Sequence, residues 1–343
     1  MTVIGARIRR RLKAARLSQS TAIPVAMSAD AFPQNQATSF VEAVSNGLSA
    51  TPKWLSPKWL YDPLGAKLFE AITELPEYYP TRTEIALFEA VMPKAVAGLG
   101  QDVAVIELGS GSSTKTPLLL QALDRPSFYI PIDIAEPALL AGAKAIRERF
   151  PALNVAPLVA DFTATWHLPV AATAAKGRKL CFFPGSTIGN LDRGAAVALL
   201  AHARAALGQD PVMLVGVDTP KSQAVVIPAY DDALGVTAAF NKNILVRLNR
   251  ELAGNANLAG FAHLARWNAT ESRVEMHLFS LRDQTITCSA GRFTFEAGET
   301  IHTESSHKWA PESFRSMAEA AGWRVTGVWL APQEAFALHR LEA

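Results

Sequence analysis

Val103-Ala104-Val105-Ile106-Glu107-Leu108-Gly109-Ser110-Gly111-Ser112-Ser113 joins an apolar run to an acid and then to a turn of small residues. The apolar run suits a fully buried parallel strand, and Gly109 and Gly111 let the backbone turn sharply and come close to a ligand. The acid precedes the glycines. A dinucleotide-binding turn carries Gly-x-Gly-x-x-Gly at the start of a helix beneath a pyrophosphate, but the position three past Gly111 is Thr114. The junction therefore favours a ligand without phosphates and disfavours a nicotinamide-dependent dehydrogenase.

Two more junctions of this kind follow. Phe128-Tyr129-Ile130-Pro131-Ile132-Asp133 ends an apolar run on an acid, which places Asp133 to accept from ribose hydroxyls at a strand's carboxyl end. Ala160-Asp161-Phe162 sets an acid beside an aromatic after Val155 to Val159, with Asp161 available to an adenine amino group and Phe162 to its ring. S-adenosylmethionine fits such a set, because its sulfonium is cationic and its methionine part zwitterionic; Glu107 matches that electrostatics. Helical-length segments, Thr114 to Leu123 and Pro137 to Phe150, separate the junctions, so strand and helix alternate as in a doubly wound sheet.

Around this core, Phe40 to Leu87 reads as helices broken by proline-rich turns, with tyrosines in the loops Lys58-Trp59-Leu60-Tyr61-Asp62 and Leu75-Pro76-Glu77-Tyr78-Tyr79-Pro80. Thr81-x-x-Glu84 has the form of a capping box opening the next helix. Lys179 to Phe183 is a fourth buried strand, Gly185-Ser186-Thr187-Ile188-Gly189-Asn190 its loop, and Asp192 the cap of a helix to about Leu207. Met213 to Val217 makes a fifth strand. The alternation then breaks: Lys221 to Leu252 reads as helices, and strands follow from Arg273, Gln284, Arg292 and Thr300, with a solvated end expected at His307 and Lys308. A helix from Pro311 to Ala321 and a hairpin of Trp323 to Trp329 with Ala335 to Arg340 close the sheet.

The 343 residues are 49% hydrophobic and 19% charged, as in a soluble globular chain, and 33 basic against 31 acidic residues leave a net charge of +2. That balance offers no electrostatic footprint for nucleic acid. No apolar run reaches the roughly 18 residues of a membrane span. Cys181 and Cys288 read as buried small hydrophobes in a reducing cytosol, and no histidine pair has metal-ligand spacing, so no metal is expected. The first acid comes only after Arg7, Arg9, Arg10, Arg11, Lys13 and Arg16, so residues 1–35 are expected to form a disordered basic arm outside the fold.

Several long strings give the chain a specific resemblance: Pro57-Lys58-Trp59-Leu60-Tyr61-Asp62, Glu77-Tyr78-Tyr79-Pro80-Thr81-Arg82, Glu107-Leu108-Gly109-Ser110-Gly111, Gly185-Ser186-Thr187-Ile188-Gly189-Asn190-Leu191, Ala229-Tyr230-Asp231-Asp232 and Gly235-Val236-Thr237-Ala238-Ala239-Phe240-Asn241. From about Ser49 to the C terminus it resembles the histidine Nα-methyltransferases of ergothioneine biosynthesis. The resemblance implies an α/β fold: a Rossmann-like methyltransferase sheet with helices on both faces over residues 82–220 and 308–343, and a second α+β substrate-binding domain from residues 36–81 and 221–307. It also implies that Glu107, Gly109, Gly111, Lys115, Asp133, Asp161 and Phe162 bind S-adenosylmethionine. Tyr61, Asn190 and the Gly185 backbone would lie at the α-amino group, and Asn190 and Tyr230 would hold the carboxylate. Tyr78, Met276, Glu304 and Ser306 would surround the imidazole of L-histidine. A cytoplasmic monomer without nucleic-acid or membrane partners is implied, with threefold methylation as the reaction. A methyltransferase for another aromatic amino acid such as tryptophan, and a non-catalytic S-adenosylmethionine or amino-acid binding protein, are the alternatives.

Overall fold

Ser39 opens the first helix of the structure, a computed structural model that describes residues 39–164, 166–170 and 175–343. The basic arm expected over residues 1–35 lies outside the described residues. Helix α1 (Phe40–Ser49) starts on a capping box, the Ser39 hydroxyl accepting from Glu42 N while the Glu42 carboxylate accepts from Ser39 N, and it buries Phe40, Ala43, Val44 and Leu48 on one face. Strand β1 (Lys53–Trp54) and a 3-10 turn over Pro57–Leu60 lead to α2 (Pro63–Thr73), whose cap Asp62 accepts from Gly65 N at 2.7 Å. Helix α3 (Tyr79–Ala95) begins before the capping box expected at Thr81. Pro80 supplies a helical φ in its first turn, so Thr81 and Glu84 lie inside the helix and Glu84 is buried instead of capping.

Strand β2 (Ala104–Leu108) is buried at every position, as its unbroken apolar run predicts. It is followed by α4 (Thr116–Ala122), β3 (Phe128–Asp133), α5 (Glu136–Arg149), β4 (Asn154–Val155), β5 (Leu158–Val159), β6 (Lys179–Phe183), α6 (Arg193–Leu207) and β7 (Val212–Asp218). These strands are parallel where they pair, and the order is β4-β3-β2-β6-β7, with β5 also on β3. The expected third strand is thus two short ones: Pro157 has no N–H for a ladder, and the chain rejoins β3 only at Leu158. Helices α6 and α9 (Pro311–Ala320) pack on one face of this sheet and α3, α4 and α5 on the other. Each fully buried Leu or Phe there contributes roughly 1.5–3 kcal/mol. Because β2 pairs with β3 on one side and β6 on the other, the sheet switches direction at that point. The crevice outside the carboxyl ends of β2 and β6 is where such sheets hold ligands.

Beyond β7 come α7 (Gln223–Val226), α8 (Val236–Glu251), β8 (Phe261–Asn268), β9 (Arg273–Ser280), β10 (Gln284–Cys288), β11 (Gly291–Phe295) and β12 (Thr300–His307). A second sheet has the order β1-β12-β9-β8, antiparallel except for β1 on β12, and β10 with β11 forms a hairpin. Strand β8 was not expected from sequence, because only Phe261 and Ala265 are buried and no two-residue period marks it. The end of β12 is not solvated: His307 is 2% exposed and Lys308 1%. The chain returns through β13 (Arg324–Leu330) and β14 (Phe336–Glu342), the expected hairpin, with β14 antiparallel to β7. Cys181 is a buried thiol, whereas Cys288 is only half-buried; both are free.

Candidate active site

The loops at the switch point converge. After β2, Gly109 and Gly111 take φ of +66° and +48°, conformations that favour glycine. A Cβ on Gly109 would stand 3.3 Å from the Phe162 ring, so a side chain there would close the gap between loop and ring. The Asp133 carboxylate accepts from Gly111 N and from Ala135 N, each at 2.8 Å, which ties the loop after β3 to the loop after β2. Asp161 accepts from Thr163 N at 3.0 Å and from Lys58 Nζ at 3.2 Å, and Phe162 meets Phe183 edge-on. Glu107 is placed differently from its neighbours. It is 1% exposed and its Oε2 accepts from Thr116 and Tyr129, each at 2.6 Å, so it sits under the loop. Burial pushes its carboxyl up to about 7, against those two hydroxyl donors.

Lys115, at the start of α4, pairs with Glu84, and Glu84 Oε1 also accepts from Gly185 N at 2.7 Å. A Cβ on Gly216 of β7 would come within 2.2 Å of that oxygen, so the glycine leaves the room the carboxylate occupies. The motif that resembled a helix cap therefore supplies a tie between the loops after β2 and β6. Asn190 ends the 3-10 turn Thr187–Asn190 of the second loop. That turn is held from the side by His307, whose Nδ1 lies 2.9 Å from the Gly189 carbonyl and whose ring stacks on Trp309.

The tyrosines meet on the second sheet. Tyr78 and Tyr230 have ring centroids 6.3 Å apart, and Phe69 bridges Tyr61 and Tyr78 edge-on. Burial, then the charges of Glu304 and Asp133, hold the Tyr61 phenol well above its ordinary range. In β12 the register to β9 shifts between His302, opposite His277, and Glu304, opposite Met276. Residues two apart normally share a strand face, but the bulge at Thr303 sends Glu304 and Ser306 to the Met276 face and leaves His302 on the other. Thr303 is pinned there by contacts of its hydroxyl to Asn241 Oδ1 at 2.6 Å and Met276 O at 3.0 Å. Glu304 is 7% exposed and its Oε2 has no hydrogen-bond partner; burial raises its carboxyl to about 7, against the opposing charge of Lys308.

Beneath these residues lies a network that sequence reasoning did not find. Lys308 Nζ reaches Tyr230 Oη at 2.8 Å, Ser306 Oγ at 2.8 Å and Asp218 Oδ2 at 2.9 Å, and Asp218 also takes Tyr79 Oη and Lys221 Nζ, each at 2.6 Å. Burial alone would raise the Asp218 carboxyl, but Lys308 and Lys221 hold it below the usual range. The alternation Glu304, Ser306, Lys308 was a signal available in the sequence, masked by the expectation of a solvated strand end. On the opposite face, Glu275, His277 and His302 cluster closely enough to suit a metal. The Glu275 carboxylate is already held by Arg266 and Arg273, whose charges a cation would have to displace.

A family model described as "Histidine-specific methyltransferase, SAM-dependent" matches residues 40–343. The chain is 39% identical to the histidine N-alpha-methyltransferase of Mycolicibacterium smegmatis over 86% of its length and 92% of that protein. It is 40% identical to the enzyme of the same name from Mycobacterium tuberculosis, over 81% of this chain and 87% of the other. Ergothioneine biosynthesis protein 1 of Schizosaccharomyces pombe is 30% identical over 78% of this chain and 36% of that longer protein. The glycine turn, the strand-end acids and the tyrosine-lined second sheet thus stand in a chain that belongs to the family of histidine-specific, S-adenosylmethionine-dependent N-methyltransferases.

Proposed function

We propose that the protein methylates the α-nitrogen of free L-histidine up to three times, giving Nα,Nα,Nα-trimethylhistidine (hercynine), the first step of ergothioneine biosynthesis, and that it does so as a cytoplasmic monomer. The observation that carries the substrate assignment is the buried, unpartnered Oε2 of Glu304 on the face of β12 shared with Ser306 and Met276. A carboxylate in that position calls for an N–H donor, and leaving it unpaired costs roughly 1–3 kcal/mol. An imidazole supplies the donor; an apolar ring does not. Residues 36–81 and 221–307 would form the part that selects this acceptor, and 82–220 with 308–343 the part that binds the methyl donor.

S-adenosylmethionine, when bound, supplies an electrophilic methyl group. The donor crevice suits it, because Phe162 beside the Gly109 turn offers a ring on which an adenine could pack, and Asp133 and Asp161 offer acceptors to hydroxyl and amino groups. Gly111 would give the loop its second turn and Lys115 would lie toward the methionine carboxylate, while Glu107 would support the loop from beneath through Thr116 and Tyr129. On the acceptor side Asn190 and Tyr230 would hold the carboxylate, Tyr78 and Met276 would pack on the imidazole, and Tyr61 with the Gly185 backbone would face the amine. Tyr61 is kept neutral by burial and by the nearby acids, so it orients the amine through a hydroxyl hydrogen bond and does not act as a phenolate base. The amine must arrive uncharged within about 3–3.5 Å of the methyl carbon, and catalysis is then chiefly a matter of positioning.

The test incubates the protein with S-adenosylmethionine and each of the amino acids, tryptophan included, and reads products by mass. Addition of one, two and three methyl units to histidine is expected. No methyl gain on histidine would overturn the assignment; binding without product would leave a sensor.

A further inference from the structure

Lys308 is 1% exposed, and its ammonium has three protons and no acceptor. Its three near partners, Tyr230 Oη, Ser306 Oγ and Asp218 Oδ2, take all three. Both hydroxyl oxygens are therefore acceptors from the lysine. They also lie 2.7 Å from each other, so one must donate to the other, which uses one of the two hydroxyl protons. A single hydroxyl proton is left for whatever enters the pocket. If Ser306 donates to Tyr230, Tyr230 keeps a proton to offer and Ser306 keeps a lone pair. If Tyr230 donates to Ser306, the roles are exchanged.

Asp218 holds the lysine in this position from the other sheet. It ends β7, and its two oxygens are filled by Lys308, Lys221 and Tyr79. The ammonium is thus compensated in charge, fixed at four points including its own backbone, where Lys308 N donates to Ser272 O at 2.8 Å, and sealed from water. Nothing about that arrangement is needed merely to close the strand.

We propose that Lys308 is a positioning and specificity-determining residue of the acceptor pocket: by donating to both oxygens, its buried ammonium limits Tyr230 and Ser306 to one outward proton and one outward lone pair between them. A substrate carboxylate, which can only accept, selects the arrangement in which Tyr230 donates to it, and Ser306 then accepts the second N–H of an imidazolium whose first N–H goes to Glu304. The inference rests on the reading of this pocket as the histidine site. It adds that selectivity for a ring N–H is set one residue deeper than Ser306, by a group that does not touch the substrate.

The test measures affinity by calorimetry with S-adenosylhomocysteine present, for L-histidine and for 3-(4-thiazolyl)-L-alanine, which keeps the carboxylate and a ring nitrogen but lacks the ring N–H. Wild type is expected to prefer histidine. In Lys308→Met, histidine affinity should fall about tenfold or more and the preference over the thiazole should shrink by a similar factor, while S-adenosylhomocysteine affinity stays within about twofold. Lys308→Met with Asp218→Asn removes both charges, so it gives the same readout if the single variant does not fold. Equal weakening of both ligands, or an unchanged preference, would overturn the proposal while leaving the histidine assignment intact. Failure of wild type to bind histidine would overturn both.

Discussion

The loops after β2 and β3 and the Met276 face of β12 arrange their polar groups in opposite ways. On the loops, glycine turns and strand-end acids are tied to one another through backbone N–H groups, as Asp133 ties Gly111 to Ala135. On β12, side chains meet side chains in a buried network, and one carboxylate oxygen is left without a partner. The first arrangement is complete before any ligand arrives. The second is poised for one, so its selectivity is sharper and its stability more dependent on protonation.

Substitutions should separate the two regions. Asp133→Ala removes an acceptor serving two backbone donors, at roughly 1.5–3 kcal/mol each, so affinity for S-adenosylhomocysteine should fall about a hundredfold or more. Histidine affinity of that variant, followed by calorimetry, should hardly change; a matching loss would mean the regions are not independent. Glu304→Ala should show the converse, with histidine weakened roughly 10- to 100-fold and S-adenosylhomocysteine unaffected. Glu84→Gln tests the tie between the loops, since the amide can still accept from Gly185 N but no longer carries the charge opposite Lys115. A loss of about tenfold in kcat/KM for the methyl donor, with the histidine KM nearly constant, is expected from steady-state kinetics. If the histidine KM moved instead, Glu84 would belong to the acceptor side.

A further expected effect is on stability. Burial raises the Glu304 carboxyl from 4.5 to about 7, so the folded chain binds this proton more tightly than the unfolded one. The stability it confers is full below about 4.5 and is lost as pH rises through about 7, a change on the order of 3 kcal/mol. Glu107 titrates in the same direction, so the comparison is between wild type and Glu304→Gln in denaturant titrations across that window. Wild type should lose stability relative to Glu304→Gln as pH rises through this window; a constant difference would mean that Glu304 is ionised throughout it.

The same contrast explains what could be read from the chain. The β2 and β3 junctions are local: strand, acid and turn are consecutive, so Gly109 and Asp133 could be assigned from a few neighbours. The split β4 and β5, and β8 with its poor alternation, were missed because pairing partners, and not their own residues, make them strands. On the acceptor side Tyr61, Tyr78, Tyr230, Met276 and Glu304 come from five separate segments, and only resemblance to a family grouped them. Glu84 was assigned to a helix cap because a local pattern cannot show that Gly216 leaves space for it from another strand. Lys308 was hidden for a related reason: a lysine at a strand end is ordinarily solvated unless a distant acid such as Asp218 meets it.

The bulge at Thr303 makes the proposed acceptor pocket depend on register as well as on chemistry. Glu304 and Ser306 face Met276 only because Thr303 stays out of the ladder instead of pairing with Met276. Drawing Thr303 into regular pairing opposite Met276 would turn both side chains to the face of His302 and bring Thr303, Ser305 and His307 round in their place, with no substitution at any of these positions. In a lineage of such enzymes, a change that flattens the bulge could exchange that whole face in a single event, a route to a new acceptor that substitutions of the facing residues would need several steps to match.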